Sequence, residues 1–354
     1  MHLDLNLGYW GMGNDADNLA LVAEADALGY RCVWAAESWG SDTVSVLAWI
    51  GATTSRIEIG SAIMQIPARS PAMTAMTAAT LDTLSHGRFR LGLGLSGPQV
   101  SEGWHGVRYD KPLGRQREYV AVVRQVLSRQ KLVFSGEHYR LPLPDGPGKA
   151  LHLMIHPPRQ TVPVYLAAVG PQNLRLAGEI ADGVLAIFFA PDLAAETLDP
   201  IRAGREQAAP AAGADALAGF DVVPTVPVSV AATAEEAAEA VKGYTALYVG
   251  GMGSREKNFY NDQARRMGYP EEAARIQDLY LGRQQAAAAA AVPFELIDRT
   301  SLLGPVPRLA EGLARYAEAG VTALAVAPNG ETLADRRQLL RDVVAAGEKA
   351  GVLS

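Results

Sequence analysis

Short apolar segments alternate with helix-patterned segments almost from one end of the chain to the other. This alternation constrains the fold more than any other feature. The strand-like runs are LDLNLGYW (3–10), RCVWAAE (31–37), RIEIGSAIM (56–64), RFRLGLGL (88–95), VPVYLAAVG (162–170), GVLAIFF (183–189), FDVVPTVPVSV (220–230) and VTALAVAP (321–328). Between them lie helical patterns at 17–30, 41–55, 70–85, 113–129, 171–183, 306–320 and 331–349, with an alanine-rich helical stretch ahead of residue 220. Apolar strands separated by helices read as parallel strands covered on both faces. Eight such units fit a closed (β/α)8 TIM barrel better than an open sheet. Residues 243–297 are a mostly helical insertion between strands seven and eight, and no linker divides the chain, so residues 1–354 are expected to be one domain.

Composition narrows the function classes. Of the 354 residues, 49% are hydrophobic and 20% charged, and no apolar run reaches the roughly 18–20 residues that span a bilayer. The N-terminal MHLDLNLGYWGMG has no charged leader or long apolar core, so no secretory signal is expected. A single cysteine, Cys32, forbids an intramolecular disulfide and suits the reducing cytoplasm. Six scattered histidines form no H-x-H or H-E-x-x-H pair, so no metal centre is expected. The predicted strands also lack a lysine, which argues against a Schiff-base aldolase. Residues 101–160 carry ten Lys/Arg against five Asp/Glu, either a solvated basic face or a lip for an anionic ligand. No dense basic run interleaved with aromatics points to nucleic acid.

Gly92, Gly94 and Gly97 in LGLGLSGPQVSEGWHG have the G-x-G-x-x-G spacing of a dinucleotide-binding turn. Their context does not match it. The strand before them is the fourth, the next helical pattern begins near residue 113, and Glu118 lies inside that helix rather than at the tip of a second strand. Gly92 and Gly94 are instead expected to leave room for a flat ligand, and Gly97 and Gly103 to take backbone conformations closed to other residues.

The segments VWAAESWGSD (33–42), IPARSPAMTAMTAATLDTLSHGRFRLGLGLSGPQVSEGWHG (66–106), KPLGRQREYV (111–120), AVGPQNLRLAGEIADG (168–183) and LYVGGMGSREKNFYND (247–262) resemble the luciferase-like monooxygenase superfamily. Within it, the chain is most similar to the actinobacterial branch of oxidoreductases that use the deazaflavin coenzyme F420. The resemblance implies a coenzyme at the C-terminal mouth of the barrel and a non-prolyl cis peptide ending the third strand, at Ser61–Ala62. It also implies hydride transfer to or from a small-molecule substrate, and often a homodimer. Sister enzymes of the superfamily use FMN, which makes an FMN-dependent monooxygenase the alternative.

Site expectations follow from both readings. Met64 would line the wall beside the cis bond, with barrel core as its other possible place. Backbone amides of Ser96, Gly97, Pro98, Gln99 and Val100, beside Gly94, would face the redox ring. The turn Ala168, Gly170, Pro171 opens a helix toward an anionic tail. Glu37 would be a proton carrier, a ring contact or a structural hydrogen bond, and His105 a second acid–base candidate. Tyr9, Trp10, Trp39 and Met252 would wall the substrate pocket. Arg255 and Lys257 in GGMGSREKN would seal the site or sit exposed. Relatives that oxidise alcohols or sugar phosphates carry a histidine directly after the acid, where this chain has Ser38; that departure favours reduction of an activated C=C or C=N.

Overall fold

The computed structural model describes residues 1–11, 15–159, 161–209 and 216–354. The end of the alanine-rich stretch, 210–215, lies outside the described residues. Eight parallel strands form the barrel: β1 (His2–Gly8), β2 (Cys32–Ala35), β3 (Glu58–Ser61), β4 (Phe89–Gly94), β5 (Val164–Ala167), β6 (Gly183–Ile187), β7 (Asp221–Ser229) and β8 (Ala323–Pro328). Each pairs with the next in chain order. The ring closes where His2 to Leu5 of β1 pair with Ala323 to Val326 of β8. All eight strands stand where the alternation places them.

Interior glycines fit the strands together. A Cβ on Gly60 would lie 2.4 Å from the Trp34 ring, and one on Gly183 2.5 Å from Tyr165. Trp34 and Tyr165 meet edge to face at 5.3 Å in the lower barrel, an aromatic plug that two glycines and the small Ala323 and Ala325 make possible. Outside the barrel, the helices Pro171–Ile180 and Ala194–Ala208 cross in backbone contact. There a Cβ on Gly178 would lie 2.1 Å from the Ile201 carbonyl oxygen.

Below the plug, charged groups at the strand starts are mutually satisfied. Arg31 forks onto both Asp4 oxygens at 3.1 and 2.9 Å and reaches Asp221 at 3.1 Å. Asp221 also accepts from Tyr165 at 2.6 Å and Thr322 at 3.0 Å, and pairs with Arg90. Burial by itself raises the Asp221 carboxyl, but Arg31, Tyr165, Arg90 and Thr322 outweigh it and hold the group below the ordinary aspartate value. A carboxyl depressed in the folded state stabilises fully above its unfolded pKa, about 3.9, and that contribution disappears as pH falls through the folded value. Asp221→Asn is therefore expected to melt below the wild type at neutral pH, with the gap closing as pH falls below the ordinary aspartate value. Thermal unfolding followed across that range checks it, and a pH-independent gap refutes it.

The helix after β7, Ala234–Ala246, continues into a π-turn at Leu247–Gly251. The extra segment therefore begins beyond Gly251 rather than at 243, because residues 243–246 still belong to that helix. It comprises the helices Phe259–Arg266, Pro270–Leu281, Gln285–Ala290 and Phe294–Arg299, with their own apolar core around Ile276, Leu296 and Ile297. Gln263 ties it to the C-terminal end of β6 by donating to the carbonyls of Ile187 and Phe188 at 3.0 and 3.2 Å. The insertion thus sits at the end of the barrel where this fold builds its sites.

Candidate active site at the barrel mouth

The ends of β2, β3 and β4 are joined by one polar network. Arg69 forks onto Glu37 at 2.7 and 2.8 Å and reaches Asp42 at 2.6 Å. The Gln65 amide donates to Glu37 at 3.0 Å, its side chain donates to the Ser38 carbonyl at 2.7 Å, and its oxygen accepts from Ser96 at 2.7 Å. Tyr119 in turn holds the Arg69 carbonyl at 3.2 Å. Both oxygens of Glu37 are committed to this network, so of its three readings the geometry supplies the structural hydrogen bond. Neither Gln65 nor Arg69 was singled out from sequence, because nothing in IPARSP shows that it folds back onto WAAES.

The cis peptide lies at Ala62–Ile63, one residue later than Ser61–Ala62. The Ala62 amide still donates to the Ala35 carbonyl at 2.8 Å, so the preceding peptide remains part of the β2–β3 ladder and the next is the first one free of it. This shift changes which residues face the mouth. Ser61 is sealed in the barrel, where its hydroxyl donates to the Gly92 carbonyl at 2.8 Å and accepts from the Gly92 amide at 2.9 Å. Met64 is fully buried core, on a two-residue strand paired with Leu93 and Gly94. Half-buried Ile63 takes the place expected of Met64 and lies over Gly94, at whose Cβ position it would approach to 2.8 Å.

The glycines of the opening motif are likewise reassigned. The space beside Gly92 is filled by Ser61 and Leu185, and that beside Gly94 by Ile63 and Ala167, rather than by a ligand. Gly97 has an ordinary extended backbone at φ −96°; it is Ser96 that takes the left-handed conformation at φ 58°. Gly103 ends an ordinary helical turn, Pro98–Gly103, which starts directly after Gly97 and well before residue 113. A helix therefore does follow the motif, but the strand before it is the fourth of a closed barrel, and the dinucleotide reading still fails. The Val100 amide is used within this turn, on the Gly97 carbonyl at 3.2 Å, and Pro98 has no N–H. The amides of Ser96, Gly97 and Gln99 are the remaining candidates.

The other expected residues separate. Ala168 is buried, while Gly170 caps the helix Pro171–Ile180 with no side-chain cap, so that its first N–H groups face out of the helix. Beside it Val169, Pro171, Phe188, Gln263, Arg266 and Met267 line a pocket. Asn173 and Gln263 each keep a buried side-chain oxygen with no protein hydrogen bond. His105 packs under the Pro98–Gly103 turn, its Nε2 enclosed and without a protein partner, and no hydrogen bond links it to Glu37. Trp10 stacks on Trp49 of the helix Thr43–Thr53, centroids 5.6 Å apart. Trp39 is 55% exposed and Met252 half-buried after the π-turn.

The glycines of GGMGSREKN serve the insertion itself. Tyr280 covers Gly250 and Gly251, and Arg255 pairs with Asp278. In the basic stretch 101–160, Lys111, Arg117, Arg124 and Arg159 are all engaged in ion pairs.

Tyr9 does stand at the mouth, with its pKa raised by burial and its hydroxyl paired with Ser38. It faces a cluster that no sequence signal announced: Phe188 at the end of β6, Tyr244 and Tyr248 one helical turn apart, and Tyr260 from the insertion. The i, i+4 spacing in GYTALYVGG is the one trace of it in the sequence.

Comparison with known proteins agrees with this architecture. Residues 11–323 match the family model for luciferase-like monooxygenases. The chain belongs to that family. A protein of Mycobacterium tuberculosis named as a coenzyme F420-dependent oxidoreductase is 42% identical over 340 residues, covering 92% of this chain and 94% of that protein. The 5,10-methylenetetrahydromethanopterin reductase of Archaeoglobus fulgidus is 27% identical over 309 residues, covering 85% of this chain and 86% of that one. The structure of the coenzyme F420-dependent tetrahydromethanopterin reductase from Methanopyrus kandleri superposes with a TM-score of 0.80 at 23% identity, with 97% of each chain covered. Among the described residues no helix is long and apolar enough to cross a membrane, and no cluster of His, Cys, Asp and Glu could hold a metal ion.

Proposed function

We propose that this family member is an oxidoreductase that uses coenzyme F420 to move a hydride to or from a small organic substrate. The observation that carries the reading is the near full-length 42% identity to a protein bearing that name, on a chain whose mouth offers what such a coenzyme requires. When bound, the deazaflavin supplies the hydride-carrying carbon.

The residues present fit the group. Ala62 and Ile63 over Gly94 make a small apolar platform suited to one face of a flat ring system. The amides of Ser96, Gly97 and Gln99 are donors for negative charge developing in the ring. The open helix start after Gly170, with Arg266 on the facing insertion helix, suits the anionic tail. Glu37 and Arg69 hold β2 against the segment after β3 and so fix the shape of the platform. Ser38 supplies a hydroxyl beside Tyr9 and no imidazole, which favours reduction of an activated C=C or C=N over oxidation of an alcohol.

Titration of the purified chain with coenzyme F420 and with FMN tests the assignment. Micromolar binding of F420 and at least tenfold weaker binding of FMN are expected. The reverse order makes the protein an FMN enzyme and overturns the proposal.

A further inference from the structure

Among the described residues, six non-glycines take a left-handed backbone conformation. His86, Arg129 and Arg283 terminate helices, where such residues are common, and Lys111 opens one. The other two, Ser96 and Phe188, stand just past the C-terminal ends of β4 and β6, at the mouth. A side chain stays in this region only where its surroundings hold it, and residues so held gather at functional sites. Each of the two is tied to a glutamine from another segment. Gln263 of the insertion donates to the Phe188 carbonyl at 3.2 Å, and Gln65 accepts from the Ser96 hydroxyl at 2.7 Å.

Ser96 is the more telling of the pair, because a glycine follows it. Gly97 could take the left-handed region at no steric cost, yet it is extended at φ −96° and the turn falls on the serine at φ 58°. The position therefore needs the serine side chain. Gln65 is built to hold it: it is 1% exposed, pairs with Gly94 in the sheet, and uses both ends of its side-chain amide. Its Nε2 donates to the Ser38 carbonyl at 2.7 Å. A carbonyl can only accept, so Oε1 is the end turned to Ser96, and the serine must donate. Gln116, Asn173 and Gln263, by contrast, each keep a buried side-chain atom without a partner. With Ser96 left-handed, β4 stops at Gly94, and the amides of Ser96 and Gly97 make no backbone hydrogen bond among the described residues. Were residue 96 extended, the strand would run on and its next amides would turn sideways toward the adjoining strands.

We propose that Gln65 is a positioning residue for the coenzyme: through the Ser96 hydroxyl it holds the end of β4 left-handed, which keeps the Ser96 and Gly97 amides free for the ring. Gln65 acts through Ser96 and is assigned no contact with ring or substrate. The inference rests on the coenzyme reading and adds to it the residue that sets the shape of the donor turn.

Titration of full-length variants with coenzyme F420, together with their coenzyme-free crystal structures, tests this role. Ser96→Ala removes the hydroxyl and keeps a Cβ, and it is expected to bind F420 about fivefold more weakly than the wild type, the worth of one neutral hydrogen bond. Ser96→Gly also lacks the hydroxyl but takes the left-handed region freely, so it is expected to bind about threefold tighter than Ser96→Ala. Gln65→Leu should lose as much as Ser96→Ala, and the double variant no more than either, because both remove one interaction. In the crystal structures residue 96 should move to negative φ in Ser96→Ala and stay left-handed in Ser96→Gly. Ser96→Ala or Gln65→Leu binding F420 as the wild type does, even with a lowered melting temperature, marks a merely structural bond and overturns the proposal. Ser96→Gly as weak as Ser96→Ala makes the hydroxyl a direct contact and overturns it too, as does a left-handed residue 96 in Ser96→Ala. A wild-type chain that binds no F420 fails the coenzyme reading alone, since the crystal structures still decide whether Gln65 holds the turn.

Discussion

Gly92→Ala is expected to abolish the folded barrel, while Gly97→Ala, in the same motif, leaves it intact. A Cβ on Gly92 would lie 1.9 Å from the Ser61 carbonyl oxygen and 2.7 Å from Leu185. The Ser61 carbonyl is not free to retreat. Ser61 is held in the β2–β3 ladder opposite Ala35, and its hydroxyl already binds both backbone groups of Gly92. Overpacking against a flexible side chain typically costs about 1–3 kcal/mol. Here the closest clash is with the Ser61 backbone on the adjoining strand, so the cost is expected to exceed about 3 kcal/mol, a large share of the roughly 5–15 kcal/mol that holds a domain together. A Cβ on Gly97, in contrast, meets only the flexible end of Gln99 at 3.0 Å. Soluble yield and thermal unfolding of the two variants decide the matter: equal stability would falsify the account of Gly92.

Arg69→Ala should be the most damaging change that leaves the barrel strands untouched. The guanidinium is 18% exposed and Glu37 only 7%, and Arg69 supplies a bidentate pair to Glu37 and a further bond to Asp42. Its loss strands a buried carboxylate with the Gln65 amide as its remaining partner, and breaking such a pair costs about 3–5 kcal/mol. Arg69 is held above the ordinary guanidinium range, chiefly by its hydrogen bonds to Glu37. A functional loss should accompany the loss of stability, because Gln65 connects Glu37 to Ser96 and the Ile63 platform follows the same segment. Thermal unfolding together with coenzyme titration reads both effects. Arg69→Lys, which keeps the charge but not the fork, should fall between. An Arg69→Ala protein that melts and binds like the wild type removes Glu37 and Arg69 from the architecture of the mouth.

Both variants show where sequence reading reached its limit. The strand pattern was legible because a parallel strand covered on both faces must be apolar along its length, a property carried locally. The turn at Gly170 was legible for a similar reason, since glycine and proline between a strand and a helix define a helix start by themselves. The role of Gly92 was not. The lack of a side chain indicates only that something approaches closely, and whether that is a ligand or the next strand depends on a register across 31 residues of chain. Glu37 shows the same limit: its type and place at a strand end are local, but the arginine that claims both its oxygens arrives from a segment 32 residues on.

The amino-acid sequence by itself determined the barrel, the order of its strands, the helical segment between the seventh and eighth, and the end of the barrel where chemistry is to be sought. Periodicity and helix-start signals act within a turn or two of chain, and they suffice for that. The tertiary structure alone decided which side chains share the mouth. It moved the cis bond to Ala62–Ile63, buried Met64, left Ile63 half-buried over Gly94, and stacked Trp10 on Trp49. It also brought Tyr248 from the π-turn and Tyr260 from the insertion against Phe188 just after β6. Such neighbours are chosen by packing between segments far apart in the chain, where a shift of one residue reverses which side chain faces the cleft.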